Sequence, residues 1–222
     1  SEEQNRTEIE QLKTLYRETK KTLLAYRHTF GEAEENLARK LEEIHEGFQR
    51  FEELTNDGNY LVAREAVLML KQQLTNVSTM LQEIPSLLTE CQTAIPAQLS
   101  ELVEGYQEMK EAGYILDHLD IEQEIAEQQE KLPHCLDMIR NLALEEAKQL
   151  LEEIKSDIDA LYDLLEKEVL AYQYVNTEMG QLQDQLAQLG EETKRTEAET
   201  LFVQQSYRLS TKDLEKYRNI EK

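Results

Sequence analysis

Tryptophan is absent from this chain, and proline occurs three times and glycine seven times in 222 residues. So few breakers, set among many Glu, Leu, Gln and Lys, are what long helices use. Cysteine occurs twice, at Cys91 and Cys135. Two cysteines far apart in sequence read as small buried hydrophobes in a reducing compartment, not as a disulfide framework. No uncharged apolar run approaches the length of a membrane span, and there is no signal-peptide pattern. Cations are scarce: 24 Lys and Arg face 46 Asp and Glu, a formal charge of −22. That balance excludes duplex nucleic acid as a partner, because phosphate binding needs a basic stripe. It also excludes adhesion to an anionic lipid surface. The chain opens at Ser1 without Met, and both ends fall inside helical pattern. It is therefore expected to be a piece of a longer protein.

What the chain does have is apolar periodicity. Ile9, Leu12, Tyr16, Thr19, Leu23, Tyr26, Phe30, Ala33 and Leu37 alternate steps of three and four. Leu41, Ile44, Phe48 and Phe51 follow after a stutter, which rotates an apolar stripe towards a new partner. This spacing predicts one helix over Glu2–Asn56, ended by Thr55-Asn56-Asp57-Gly58-Asn59. A second helix starts near Asn59, with its seam on Tyr60, Ala63, Val67, Leu70, Leu74, Val77, Leu81, Ile84, Leu88 and Cys91. Pro85 and Pro96 interrupt that region. A reversal near Thr93–Pro96 with a kink at Pro85 is expected, the opposite assignment remaining open. A third helix is predicted over Ala97–Asn141, bent by Pro133. A fourth starts near Ala143 and is expected to reverse between Asn176 and Gly190. A last helix carries Val203, Tyr207, Leu214 and Tyr217.

The chain repeats itself. "NYLVAREAVLMLKQQL" from Asn59 and "LALEEAKQLLEEIKSDI" from Leu142 align at an offset of 84 residues, and most of the seam aligns with them. Phe30 meets Tyr114, Phe51 meets Cys135, Tyr60 meets Leu144 and Leu70 meets Ile154. "YRLSTKDLE" from Tyr207 matches "YILDHLDIE" from Tyr114 at an offset of 93. The longer spacing is expected to lengthen a hairpin. The expected fold is all-α: elongated tandem antiparallel three-helix bundles joined by long continuous helices. Each repeat is expected to make three helical passes. The predicted units are residues 1–113, with a lead-in helix over 1–29, and 114–222, whose last helix runs into a further repeat.

Bundles joined in this way resemble spectrin repeats, although the tryptophan usual in the first helix of animal spectrin repeats is missing. "TLLAYRHTFG", "GNYLVARE" and "IPSLLTECQTAIPAQLSELVEGYQEMKEAGY" resemble the EzrA family of septation ring formation regulators of Gram-positive bacteria, and the resemblance covers essentially the whole chain. It implies a cytoplasmic region of spectrin-like repeats whose parent is held at the cell membrane by a single N-terminal helix. It further implies binding to the tubulin-like division GTPase FtsZ, restraint or positioning of the Z-ring at the septum, and links to cell-wall synthesis proteins. Gln4-Asn5-Arg6 spells the family's C-terminal localisation patch but stands at the front of an ordinary helix, so that role is not carried over.

No catalytic, cofactor or metal residue is expected. His118 and Glu122 have the i, i+4 spacing of a metal pair, and His134 adjoins Cys135, but single pairs of this kind are common in Glu-rich helices. His28 and His45 read as partly exposed helix residues. Glu34-Glu35 and Glu145-Glu146 lack the buried cleft that acid–base catalysis needs. The ten tyrosines read mainly as core-edge packing. Tyr114 and Tyr207, aligned with Phe30, are expected to support junctions between bundles. The function expected is a non-catalytic division scaffold that binds FtsZ; a spacer holding sites located elsewhere is the alternative. A parallel dimeric coiled coil is disfavoured by the Asp57-Gly58 and Ala94–Pro96 breaks, so a monomeric fragment is expected. The partner-contact residues are not legible.

Overall fold

The computed structural model describes residues 1–220, with side chains through Arg208 and at Thr211, Lys212 and Glu215. The seam positions Leu214 and Tyr217 therefore lie outside the described side chains. Six helices account for nearly all of it: α1 (Glu2–Ala25), α2 (Glu34–Asn56), α3 (Tyr60–Thr89), α4 (Ile95–Glu111), α5 (Ile121–Arg140) and α6 (Leu144–Ile220). The described residues contain no strand. Contacts divide the chain into a unit over Ser1–Leu165 and a unit over Glu166–Lys222.

Within the first unit most of the predicted seam is the core, although Tyr26 and Tyr60 are exposed and Leu87 is buried in place of Leu88. Ile9, Leu12, Tyr16, Thr19 and Leu23 of α1 are buried. Leu37, Leu41, Ile44, Phe48 and Phe51 of α2 are buried as well, and so are Ala63, Val67, Leu70, Leu74, Val77, Leu81 and Ile84 of α3. Each such Leu or Ile stabilises by about 1.5–3 kcal/mol when fully buried. A surface ion pair adds roughly 0–1 kcal/mol. Apolar burial therefore holds the bundles, and the charged pairs between helices serve to align them.

The pairings give the direction of each helix. Tyr16 stacks on His45 and meets Phe48 edge-on, and Lys13 pairs with Glu52, so α1 and α2 are antiparallel. Arg64 pairs with Glu8 and bonds Asn5, which sets α3 beside α1; because the chain reverses again at the Gly58 turn, α3 runs parallel to α1. In the second bundle Cys135 lies against the Ala147 carbonyl and Gln128 donates to Asp157, so α5 and α6 are antiparallel. Glu83–Lys148, Glu90–Lys155 and Glu101–Tyr162 advance together, so α6 runs parallel to α3 and α4.

Two reversals fall where the sequence places them. Asn59 N–H bonds the Leu54 carbonyl and Gly58 N–H the Thr55 carbonyl, the paired bonds of a Schellman cap. Its repeat partner is built alike: Ala143 N–H bonds Met138, and Leu142 N–H bonds Ile139. The aligned residues Gly58 and Leu142 both take positive φ, 76° and 62°.

Six other expectations are corrected. Residues 2–56 are not one helix, because the chain reverses over a 3-10 segment, Arg27–Ala33, in which Gly31 has φ 52°. Residues 97–141 are not one helix either. A further Schellman cap, with Tyr114 N–H on Met109 and Gly113 at φ 98°, ends α4, and Asp120 at φ 50° precedes α5. No reversal occurs at Thr93–Pro96. A π-helical turn, Glu90–Ala94, absorbs one extra residue, the Ile95 N–H reaching the Glu90 carbonyl, so α3 continues into α4 past both prolines. Nor does α6 turn between Asn176 and Gly190. Gly180 and Gly190 stand in open space inside a helix of 77 residues, and an isolated glycine weakens a helix by about 1 kcal/mol without ending it. The expected longer hairpin is likewise absent, and the extra residues are accommodated as helix. Each repeat thus makes two passes, one short and one long. The long pass closes one bundle and opens the next.

The second unit is the remainder of α6. Val175, Met179, Leu182, Leu186 and Leu189 keep the three-four spacing there, all more than half exposed.

Candidate functional site at the shared helix

The continuous helix α3–α4 is the feature on which the first unit is organised, and the π turn at Glu90–Ala94 lies where the two bundles meet. Phe30, 1% exposed, projects from the 3-10 reversal into this junction. That reversal contacts both α3 and α5. A Cβ on Gly31 would meet Leu88 at 3.4 Å, so the turn lies tight against the shared helix. On the other side, the α5–α6 reversal reaches back to the first bundle. Asn36 Nδ2 donates to the Arg140 carbonyl at 2.6 Å, and Arg140 also faces Glu32 at 3.7 Å.

Three polar clasps tie α6 along the shared helix. Lys148 pairs with Glu83 at 2.9 Å and Lys155 with Glu90 at 2.9 Å. Tyr162 Oη donates to Glu101 at 3.1 Å. The hydrogen bond to Glu83 holds the Lys148 ammonium above its usual range, with Glu145 adding to it. Glu90 does the same for Lys155. Burial, and then Glu101, raise the Tyr162 phenol.

The cysteines are the main surprise. Separated by 44 positions, Cys91 and Cys135 meet in the core of the second bundle. Cys91 Sγ lies 3.5 Å from the Leu132 carbonyl, one turn from Cys135. The Cys91 thiol and burial push the Cys135 thiol far above the ordinary range, so neither geometry nor acidity makes it a nucleophile. Sequence reading placed each residue on an apolar seam and missed their contact, because the contact depends on where α5 reverses. It also missed Gln128, which is 1% exposed at a seam position and donates to Asp157 at 3.0 Å.

The remaining candidates separate. His118 lies in a 3-10 turn ahead of Asp120 and Glu122 in the helix behind it, so their i, i+4 spacing is not one helical face. Among the described residues no cluster of three metal-binding side chains forms, and no helix is long and apolar enough to cross a membrane. The cavity between α2 and α3, lined by Lys40, Glu43, Ile44, Gln73, Asn76, Val77 and Met80, holds about 80 Å³. Tyr114 is half-buried beside the core, whereas Tyr207 is 75% exposed on α6.

This arrangement defines a helical repeat protein in which successive three-helix bundles share a helix. The family description "Septation ring formation regulator, EzrA" matches residues 1–222. A septation ring formation regulator EzrA of Geobacillus sp. (strain WCH70) is 64% identical over 222 residues, covering all of this chain and 39% of that protein. Its counterpart in Bacillus subtilis (strain 168) is 38% identical over 220 residues, covering 98% of this chain and 39% of that protein. A solved structure, the cytoplasmic domain of bacterial cell division protein EzrA, superposes with a TM-score of 0.62 at 33% identity, over 90% of this chain and 36% of that one. The chain belongs to the EzrA family, and it spans about 39% of the length of these relatives.

Proposed function

We propose that this region is a non-catalytic scaffold segment of a bacterial cell-division regulator. In this reading it contacts FtsZ at the cytoplasmic face of the membrane and restrains or positions Z-ring assembly. Cell-wall synthesis proteins would be further partners. The observation that carries the reading is the match of the whole chain to septation ring formation regulators. The architecture supports it. Bundles sharing a helix present long solvent-facing surfaces, the kind a partner protein can lie along. Sedimentation and light scattering of FtsZ with GTP, with and without this chain, test the reading. Co-sedimentation and slowed or limited assembly are expected; unaltered assembly without co-sedimentation would overturn it for this region.

The continuity of α3 through the π turn into α4 favours a second role, that of a spacer. Deleting one 84-residue repeat in frame from the parent separates the two roles. A spacer keeps partner affinity and changes reach, whereas a binding surface loses affinity.

A further inference from the structure

The two repeats carry the same backbone turn and the same buried seam, so each is a control for the other's surface. On the outer face of α3, Leu61 is 85% exposed, Val62 48%, Leu68 51% and Met69 61%. The aligned positions on α6, 84 residues on, are Glu145, Glu146, Glu152 and Glu153, all exposed. Four apolar residues in one repeat thus stand where the other has four glutamates. The fold does not require them, because the second repeat forms the same cap and packs the same helix face without them. Contiguous apolar exposure with no folding role marks an interaction surface.

We propose that this face of α3 docks an amphipathic helix of another protein, one carrying apolar residues on one stripe and a cation beside them. Three observations select this occupant. A bundle ahead of α1, packed as the first bundle packs on the second, would leave the face open, since Glu145, Glu146, Glu152 and Glu153 stay exposed with the first bundle in place. Glu65 lies between the two apolar pairs and has no ion-pair partner among the described residues. A second copy pairing through a two-fold axis would set Glu65 near Glu65 of its mate, a like-charge contact that costs energy. A helix presenting Lys or Arg at that point gains instead. Leu61–Leu68 and Val62–Met69 are ladders seven residues apart, the spacing at which a second helix seats its own apolar stripe.

The probe is a labelled synthetic helix of about 18 residues, with leucine at alternating three- and four-residue steps and lysine beside them. Its binding to the 222-residue chain is followed by fluorescence anisotropy. The variant L61E/V62E/L68E/M69E copies the second repeat's residues onto the first. Saturable binding by the wild type, weakened at least about tenfold in the variant, is expected. The variant is more acidic, so nonspecific ionic adsorption would strengthen, and equal or tighter binding overturns the proposal. E65K is expected to weaken the lysine peptide and to favour a peptide carrying glutamate there; no exchange of preference overturns the charge assignment. If the fourfold variant loses its circular-dichroism melting transition, L61E/L68E replaces it with the same expectation. A wild-type dimer by sedimentation equilibrium that the variant abolishes would assign the face to a second copy. Wild-type binding to zwitterionic vesicles that the variant abolishes would assign it to a membrane. Either result overturns the proposal.

Discussion

Replacing Phe30 by alanine tests whether the two bundles are locked at the 3-10 reversal. The ring is 1% exposed and sits in a segment that touches both the shared helix and α5. Truncating a buried phenylalanine costs about 3–5 kcal/mol, the upper part applying where the surroundings cannot collapse into the space. Collapse is hindered here: Gly31 beside it is fixed at φ 52°, and Leu88 already lies within van der Waals reach of that turn. For a unit of this size each kcal/mol lowers the melting temperature by about 2–4 °C, so a fall of roughly 6–20 °C is expected. Tyr26→Ala, at a neighbouring residue 61% exposed, is the control and is expected to change stability little. Amide hydrogen exchange should speed up in two places at once in Phe30→Ala: residues 26–33 and the 138–144 turn that meets them. Urea denaturation at 25 °C supplies the free energy. A loss below about 1 kcal/mol, or one no larger than that of Tyr26→Ala, refutes the locking role.

Gly47→Ala and Gly105→Ala should move stability in opposite directions, although both lie in helix interiors. A Cβ at Gly47 meets Leu70 Cδ2 at 2.6 Å, and the overpacking, about 1–3 kcal/mol, outweighs the helix-propensity gain of about 1 kcal/mol. Gly105 has open space around it, so the gain stands alone; chemical denaturation of both variants decides. Glu83 and Glu90 raise the folded-state pKa of Lys148 and Lys155, so their contribution is fully present below the unfolded lysine value of about 10.4. It is lost as pH rises through the folded values, and Lys148→Met/Lys155→Met should flatten the fall of melting temperature in that alkaline window. Cys91 and Cys135 are buried, so Ellman's reagent should find neither thiol in the folded chain and both in guanidinium.

Along the chain, the sequence reads well wherever a local pattern and the burial it demands coincide. The seam through α1, α2 and α3 is the observed core apart from Tyr60 and Leu88, and Asp57-Gly58 ends α2 because glycine takes positive φ without strain. Its repeat partner Leu142 shows the limit of local reading. It adopts the same conformation with a side chain that disfavours it, held by the Schellman bonds and by packing against the core. Proline misled in the other direction, since Pro85 and Pro96 suggest a break while the π turn between them keeps the helix intact. The exposed apolar face of α3 was visible as residues, but it became informative only once the structure placed Leu61 and Glu145 at equivalent sites.

The sequence by itself determined that this chain is all-helical, that it repeats at an offset of 84 residues, and most of the side chains buried in the first unit, because each follows from periodicity within one helix. It also carried the family resemblance, through long contiguous phrases. Only the tertiary structure decided the reversals over Arg27–Ala33 and between α4 and α5, that α3 and α4 form one helix shared by two bundles, and that Cys91 meets Cys135. A heptad seam has the same spacing whether its partner lies ahead or behind in the chain. Direction and sharing are therefore set by pairing between helices, which no single helix encodes.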